Sequence, residues 1–100
     1  MTKQKYIENA EIFKVLSDSN RLQIIDMLSC GEMCVCKILE KFKITQPTLS
    51  HHLKVLSDSE IVESRKESNW IYYKLNNDKM KEITEFLQFI SNEKKDCICK

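Results

Sequence analysis

Residues 45–56 read TQPTLSHHLKVL. Leu49, Leu53 and Leu56 recur at i, i+4 and i+7, the spacing that lines apolar side chains along one face of an α-helix. Thr45 is a residue type that caps helices, and Pro47 falls in the first turn, where a missing N–H does least harm. The opposite side presents Pro47, Ser50, His51 and Lys54. No acidic residue stands at this helix start, and Gln46, Thr48, Ser50 and His51 are all short or medium hydrogen-bonding groups. A helix N-terminus attracts phosphate through its free N–H groups and its dipole. Such an end can approach a major groove without repulsion and bring side chains to base edges.

Upstream, the run VCKILEKF after Cys34 carries Ile38, Leu39 and Phe42 as an apolar face and predicts a helix starting near Cys34, with a short break at Lys43 and Ile44. Before it, Asp18 and Ser19 are good caps for a helix with Leu22, Ile25 and Leu28 on one face, which Gly31 stops. The first segment, from about Lys5 to Leu16, places Ile7, Ala10, Phe13 and Leu16 near helical spacing.

Downstream of residue 56 the period changes. IVESRKESNWIYYKLN, residues 61–76, is rich in β-branched and aromatic residues around a polar ESN turn and reads as a β-hairpin. Ile71, Tyr73 and Leu75 would share one face and Trp70 and Tyr72 the other. The Trp70, Tyr72 and Tyr73 cluster reads as the core of this hairpin. A last helix starts near Asn77 and Asp78, with Met80, Ile83, Phe86, Leu87 and Ile90 on one stripe that Phe89 widens.

The result is a mainly α chain with a small hairpin, in the order α-α-α-α-β-β-α, which is that of a winged helix-turn-helix. Its hundred residues make one domain, spanning 1–100. Arg65 and Lys66 near the hairpin turn could pair with phosphates beside the groove, positioning the protein without reading sequence. The net charge of +1 says little about partners, so a DNA role has to come from where the charges sit. The opening MTKQKYIENAEIFK is charged, and no run is long enough to cross a bilayer, so the expected compartment is the cytoplasm.

The combination of VLSDSNRLQII, EMCVCKIL, TQPTLSHHLKVL and IVESRKESNWIYYKL, in this order and spacing, resembles the ArsR/SmtB family of metal-responsive repressors over nearly the whole chain. The resemblance implies a dimeric winged helix protein that blocks transcription until a toxic metal or metalloid binds, not an enzyme. It also implies a dimer interface made by the first and last helices, here Ile7, Phe13, Ile83, Phe86, Leu87 and Ile90. The chain departs from the family at Glu60, where relatives commonly have Gly, and at Ser68 and Asn69 in the wing tip.

Five cysteines remain to be placed. A reducing compartment keeps thiols free for metals or redox chemistry. Cys34 and Cys36 fall at the start of the third helix, where i and i+2 point about 200° apart at 3.6 residues per turn. One ion could take both only if the first turn stayed irregular, so ion and helix would compete for that backbone. The helix start would also favour thiolate, the form that binds metal. Cys97 and Cys99 lie in a polar tail that, if extended, would turn both to one side.

The resemblance carries over unevenly. Arsenic-sensing relatives often follow the CVC pair, three residues on, with another cysteine that completes a trigonal sulfur site for As(III) or Sb(III); here that residue is Leu39. Cadmium- and lead-sensing relatives draw further cysteines from a terminal segment. Cys97 and Cys99 could do the same, giving a three- or four-sulfur site suited to thiophilic ions. Cys30 could join them or serve as a small hydrophobe. A zinc or nickel site across the last helix would need His ligands, and residues 77–95 contain none. His51 reads as a DNA-face residue and His52 as a partly buried packing residue.

The expected function is therefore a homodimeric repressor of double-stranded operator DNA. It needs no cofactor to bind, and As(III)/Sb(III) or Cd(II)/Pb(II) would release it. The alternatives are a repressor of the same fold that senses thiol oxidation, and a thiol metal carrier that does not bind DNA.

Overall fold

A computed structural model describes residues 2–94. Helix α1 runs Lys3–Leu16, its first turn capped by the Thr2 hydroxyl, which accepts from the Lys5 N–H at 3.3 Å. Helix α2 spans Ser19–Leu28; the Asp18 carboxylate caps it, accepting from the N–H groups of Asn20 and Arg21 at 2.8 and 3.2 Å. Its core face is Ile24 and Leu28, one helical turn apart, with Ile25 and Met27 partly buried. Leu22, expected on that face, is exposed, because two residues of helix place it across the axis from Ile24. Gly31 follows at φ 133°, a backbone state that side-chain-bearing residues avoid.

The chain then makes a short strand that the sequence did not announce. Strand β1, Met33–Cys34, pairs antiparallel with the second wing strand, Met33 opposite Tyr73 and Cys34 opposite Tyr72. Helix α3 occupies only Val35–Glu40, so Cys34 is not its first helical residue but its extended N-cap, at φ −68° and ψ 144°. Helix α4 is Gln46–Asp58, capped by Thr45, whose hydroxyl accepts from the Thr48 N–H at 3.3 Å. Leu49, His52, Leu53 and Leu56 are its buried face.

Helix α4 ends in a reversal that relies on Glu60 at φ 63°. The Glu60 N–H donates to the Ser57 carbonyl and the Ile61 N–H to the Leu56 carbonyl, both at 3.0 Å. This is the Schellman pairing, with its usual apolar contact supplied here by the fully buried Leu56 and Ile61. Strands β2, Val62–Glu67, and β3, Trp70–Leu75, form the wing hairpin, and the sheet order is β1-β3-β2. Its turn holds Ser68 at φ 56°. The two departures from glycine, at Glu60 and at the wing tip, thus fall where the backbone is left-handed.

Helix α5, Asn77–Ser91, is capped by Asn76, which accepts from the Lys79 N–H at 3.1 Å. It packs on α1: the Phe86 ring lies 6.0 Å from both Tyr6 and Phe13, edge-on to Tyr6. The main core joins Ile24, Leu28, Ile38, Leu49, Leu53, Leu56, Ile61, Val62 and Ile83, drawing on α2, α3, α4, the wing base and α5. Tyr73 and Leu75 pack against it as expected, but Ile71 does not and Trp70 is 54% exposed. The wing core therefore lacks Trp70, which as the first residue of β3 stands at the turn end of the hairpin, opposite Glu67.

Candidate DNA-binding face and thiol cleft

The buried face of α4 fixes what its other face shows. Gln46, Thr48, Ser50, His51 and Lys54 are all exposed. The Thr45 and Thr48 hydroxyls lie 2.9 Å apart, and Lys54 reaches Asp58 one turn on at 3.3 Å. His52 is buried, and its Nδ1 accepts from Arg21 Nε at 3.1 Å while Arg21 Nη1 donates to the Val15 carbonyl at 3.2 Å. Helix α4 is thus pinned to α2 by a side-chain bond as well as by leucines.

The two wing cations differ. Arg65 Nη2 and Nε grip both carboxylate oxygens of Glu32 at 2.7 and 2.8 Å, and Nη1 reaches Glu67 at 2.6 Å. Its guanidinium also lies over the Tyr72 ring, 4.6 Å from the centroid. These carboxylates raise the Arg65 pKa further, and the Arg65 hydrogen bonds hold the Glu32 carboxyl below its ordinary value. Arg65, expected as a free phosphate contact, is therefore already partnered inside the protein. Lys66 is exposed and has no ion pair among the described residues.

The structure brings Cys34 and Cys36 together more simply than helix geometry allows. Their sulfurs are 2.7 Å apart. Because Cys34 belongs to β1 and only Cys36 to α3, the two side chains converge with the helix intact, and the expected contest between ion and helix does not arise. Cys34 is buried and Cys36 exposed. The hydrogen bond from Cys36 pulls the Cys34 thiol below its ordinary range, helped by the backbone N–H groups of Cys36 and Lys37 against the opposing effect of burial. The same contact pushes Cys36 up. The two thiols are thus shifted in opposite directions by their mutual contact.

Cys34 and Cys36 line a cleft of about 340 Å³ together with Leu39, Gln46, Ser50, Leu53, Asn69, Trp70, Ile71 and Tyr73. Residues of α4, the wing tip and the thiol pair share this one space. Asn69 and Trp70 were missed as site residues; a lone tryptophan beside a polar turn was the available signal. Among the described residues no group of three or more Cys, His, Asp or Glu side chains could hold a metal. Two soft donors suit a thiophilic ion but make only part of its shell. Cys97 and Cys99, the expected remainder, lie outside the described residues. Cys30 is exposed and faces a different groove, with Met27, Met33 and Phe42.

Of the side chains expected at a dimer interface, Ile83 and Phe86 are already buried within the protomer, and Phe13 is half-buried against Phe86. Ile7, Leu87 and Ile90 remain exposed, joined by Tyr6 and Phe89.

Residues 18–64 match the model of the arsR family of bacterial regulatory proteins. The chain is 48% identical over 95 residues to the arsenical resistance operon repressor of Staphylococcus aureus, covering 95% of this chain and 91% of that one. It is 37% identical over 86 residues to a cadmium resistance transcriptional regulatory protein, a CadC homolog, of the same species, covering 85% and 71%. Its fold is similar to the solution structure of a homodimeric winged helix-turn-helix DNA-binding domain from Mycobacterium bovis, with TM-score 0.71 and 26% identity over 91% of this chain and 87% of that one. The chain belongs to the ArsR family of winged helix transcriptional repressors.

Proposed function

We propose that this chain is a homodimeric operator-binding repressor that leaves DNA when a thiophilic ion binds Cys34 and Cys36, with As(III) or Sb(III) favoured and Cd(II) or Pb(II) next. The observation that carries the reading is the shared cleft: Cys34 and Cys36 line the same space as Gln46 and Ser50 of α4. Whatever occupies the thiol pair must press on the side chains that would meet base edges. Gln46, Thr48, Ser50 and His51 read the groove, while Lys54 and Lys66 hold phosphates. Arg65 joins them only by exchanging Glu32 for a phosphate.

A three- or four-sulfur shell is completed by Cys97, Cys99 or both. The arsenical resistance operon repressor and the cadmium resistance transcriptional regulatory protein among the relatives support arsenic and cadmium within this range of ions. Exposed Ile7, Leu87 and Ile90 support pairing of two copies. The paired recognition helices would then span about one DNA turn, roughly 34 Å.

The test is Cys34→Ser. Operator binding in a gel-shift assay should persist, and release by arsenite or cadmium should be lost; a mutant that still lets go of DNA overturns the sensor assignment. The short approach of the two sulfurs also favours a second reading, release by thiol oxidation. Arsenite titration under anaerobic reducing conditions separates the two, since release there makes oxidation unnecessary.

A further inference from the structure

Strand β1 ties the thiol pair to the wing cation. In the β1-β3-β2 sheet Cys34 stands opposite Tyr72 and Tyr72 opposite Arg65, so the three residues form one rung. Two strand spacings put the Cys34 backbone about 10 Å from that of Arg65. Side chains join the same two places a second time. Glu32, two residues before Cys34, accepts from Arg65 Nη2 and Nε at 2.7 and 2.8 Å, and the guanidinium lies 4.6 Å from the Tyr72 ring centroid. With Nη1 on Glu67 at 2.6 Å, all three guanidinium nitrogens are engaged. Exposed ion pairs usually contribute little, but bidentate arginine–carboxylate geometry within a network of charges is the exception. A carboxylate bound in this way occupies the donors that a phosphate would use.

We propose that Glu32 is a positioning residue through which the thiol pair controls the wing: it holds Arg65 off the DNA backbone, and an ion bound at Cys34 and Cys36 keeps it there. The inference rests on the thiol-sensor reading above and names the route from that site to the DNA. Operator DNA has to exchange Glu32 for a phosphate on Arg65. An ion bridging Cys34 of β1 to Cys36 of α3 fixes the chain two residues from Glu32. A carboxylate already ordered loses less entropy in keeping Arg65, so the exchange becomes less favourable. Ion and operator then weaken each other by one reciprocal factor.

The experiment measures binding of the full reduced chain, under argon, to fluorescently labelled DNA from its own promoter region, over a salt series and with or without arsenite, and counts free thiols in parallel. It compares wild type, Glu32→Gln, Glu32→Ala, Arg65→Ala and the Glu32→Gln/Arg65→Ala double variant. Without arsenite, Glu32→Gln should bind roughly three- to fivefold tighter, with the slope of log affinity against log salt steeper by about 1. Glu32→Ala should do the same. Both gains should vanish when Arg65→Ala is added, a dependence that a merely structural role for Glu32 would not show. Arsenite should consume as many thiols in Glu32→Gln as in wild type, yet its weakening of operator binding should be at least roughly threefold smaller.

An unchanged slope in both Glu32 variants, or a gain that survives Arg65→Ala, overturns the proposal. The two readings fail separately. Arsenite that releases wild type and Glu32→Gln alike keeps the sensor and removes Glu32 from its mechanism. Arsenite that consumes the thiols and releases neither chain defeats the sensor reading itself.

Discussion

Helices α4 and α5 both carry an apolar stripe, and the stripes have different fates. In α4, Leu49, Leu53 and Leu56 are 0%, 1% and 0% exposed. In α5, Ile83 and Phe86 are buried to a similar degree, but Leu87, Phe89 and Ile90 remain 45%, 41% and 43% exposed. The difference lies in what each helix leaves to solvent. A stripe wholly absorbed by its own protomer fixes the helix rigidly and leaves its polar face, with Gln46, Ser50 and His51, at a set angle. A stripe wider than the protomer can cover leaves a neighbouring lane of apolar surface beside Tyr6 and Ile7 of α1, the kind of exposed patch that marks an interface.

The comparison breaks first if the two stripes respond alike. Leu53→Ala should lower the unfolding free energy by about 3 kcal/mol in urea titration, the usual cost of emptying a core leucine site. Leu87→Ala should change protomer stability by about 0.5 kcal/mol or less, as for a surface substitution. The next effect belongs to α5 alone. Leu87→Glu with Ile90→Glu should raise the dimer dissociation constant at least roughly tenfold by analytical ultracentrifugation. Operator affinity should fall with it, while the circular dichroism spectrum stays that of wild type.

The helix ends sharpen the contrast further. Helix α4 closes through Glu60 in left-handed backbone, whereas α5 runs out into extended Asn92. Glu60→Gly should therefore stabilise the fold by about 1 kcal/mol, since only glycine meets φ 63° without a Cβ penalty; a destabilised variant would mean that the Glu60 side chain makes stabilising contacts of its own. Smallest is the effect at the wing. Lys66→Ala should reduce the slope of log affinity against log salt by about 1 if Lys66 holds a phosphate. Arg65→Ala should change that slope less, because Glu32 and Glu67 already neutralise it.

Much of this architecture was legible in the sequence because local rules agreed with one another. Thr45, Pro47 and three leucines set α4, Asp18 capped its helix, and the switch from helical to alternating period marked the wing. Strand β1 was not legible: two residues carry no periodicity, and Met33 and Cys34 become a strand only because β3 offers them a partner. The misplacement of Leu22 and Trp70 has the same origin, since spacing gives a face but not the edge of the layer it must reach. At the thiol site the residue types were plain in CVC. Their convergence was not, because it follows from Cys34 standing on the strand side of a strand-to-helix boundary.

The sequence by itself determined the order of the five helices and the wing hairpin, the polar groups along α4 and the pair of thiols, since these depend on neighbours within a few residues. Only the tertiary structure decided that the two sulfurs share a cleft with Gln46, Ser50 and Trp70, that Arg65 is held by Glu32, and that Phe86 is buried while Ile90 is not. Those outcomes join residues on different elements, well beyond one helical turn apart, or depend on how far a packing layer extends, and no local spacing encodes either.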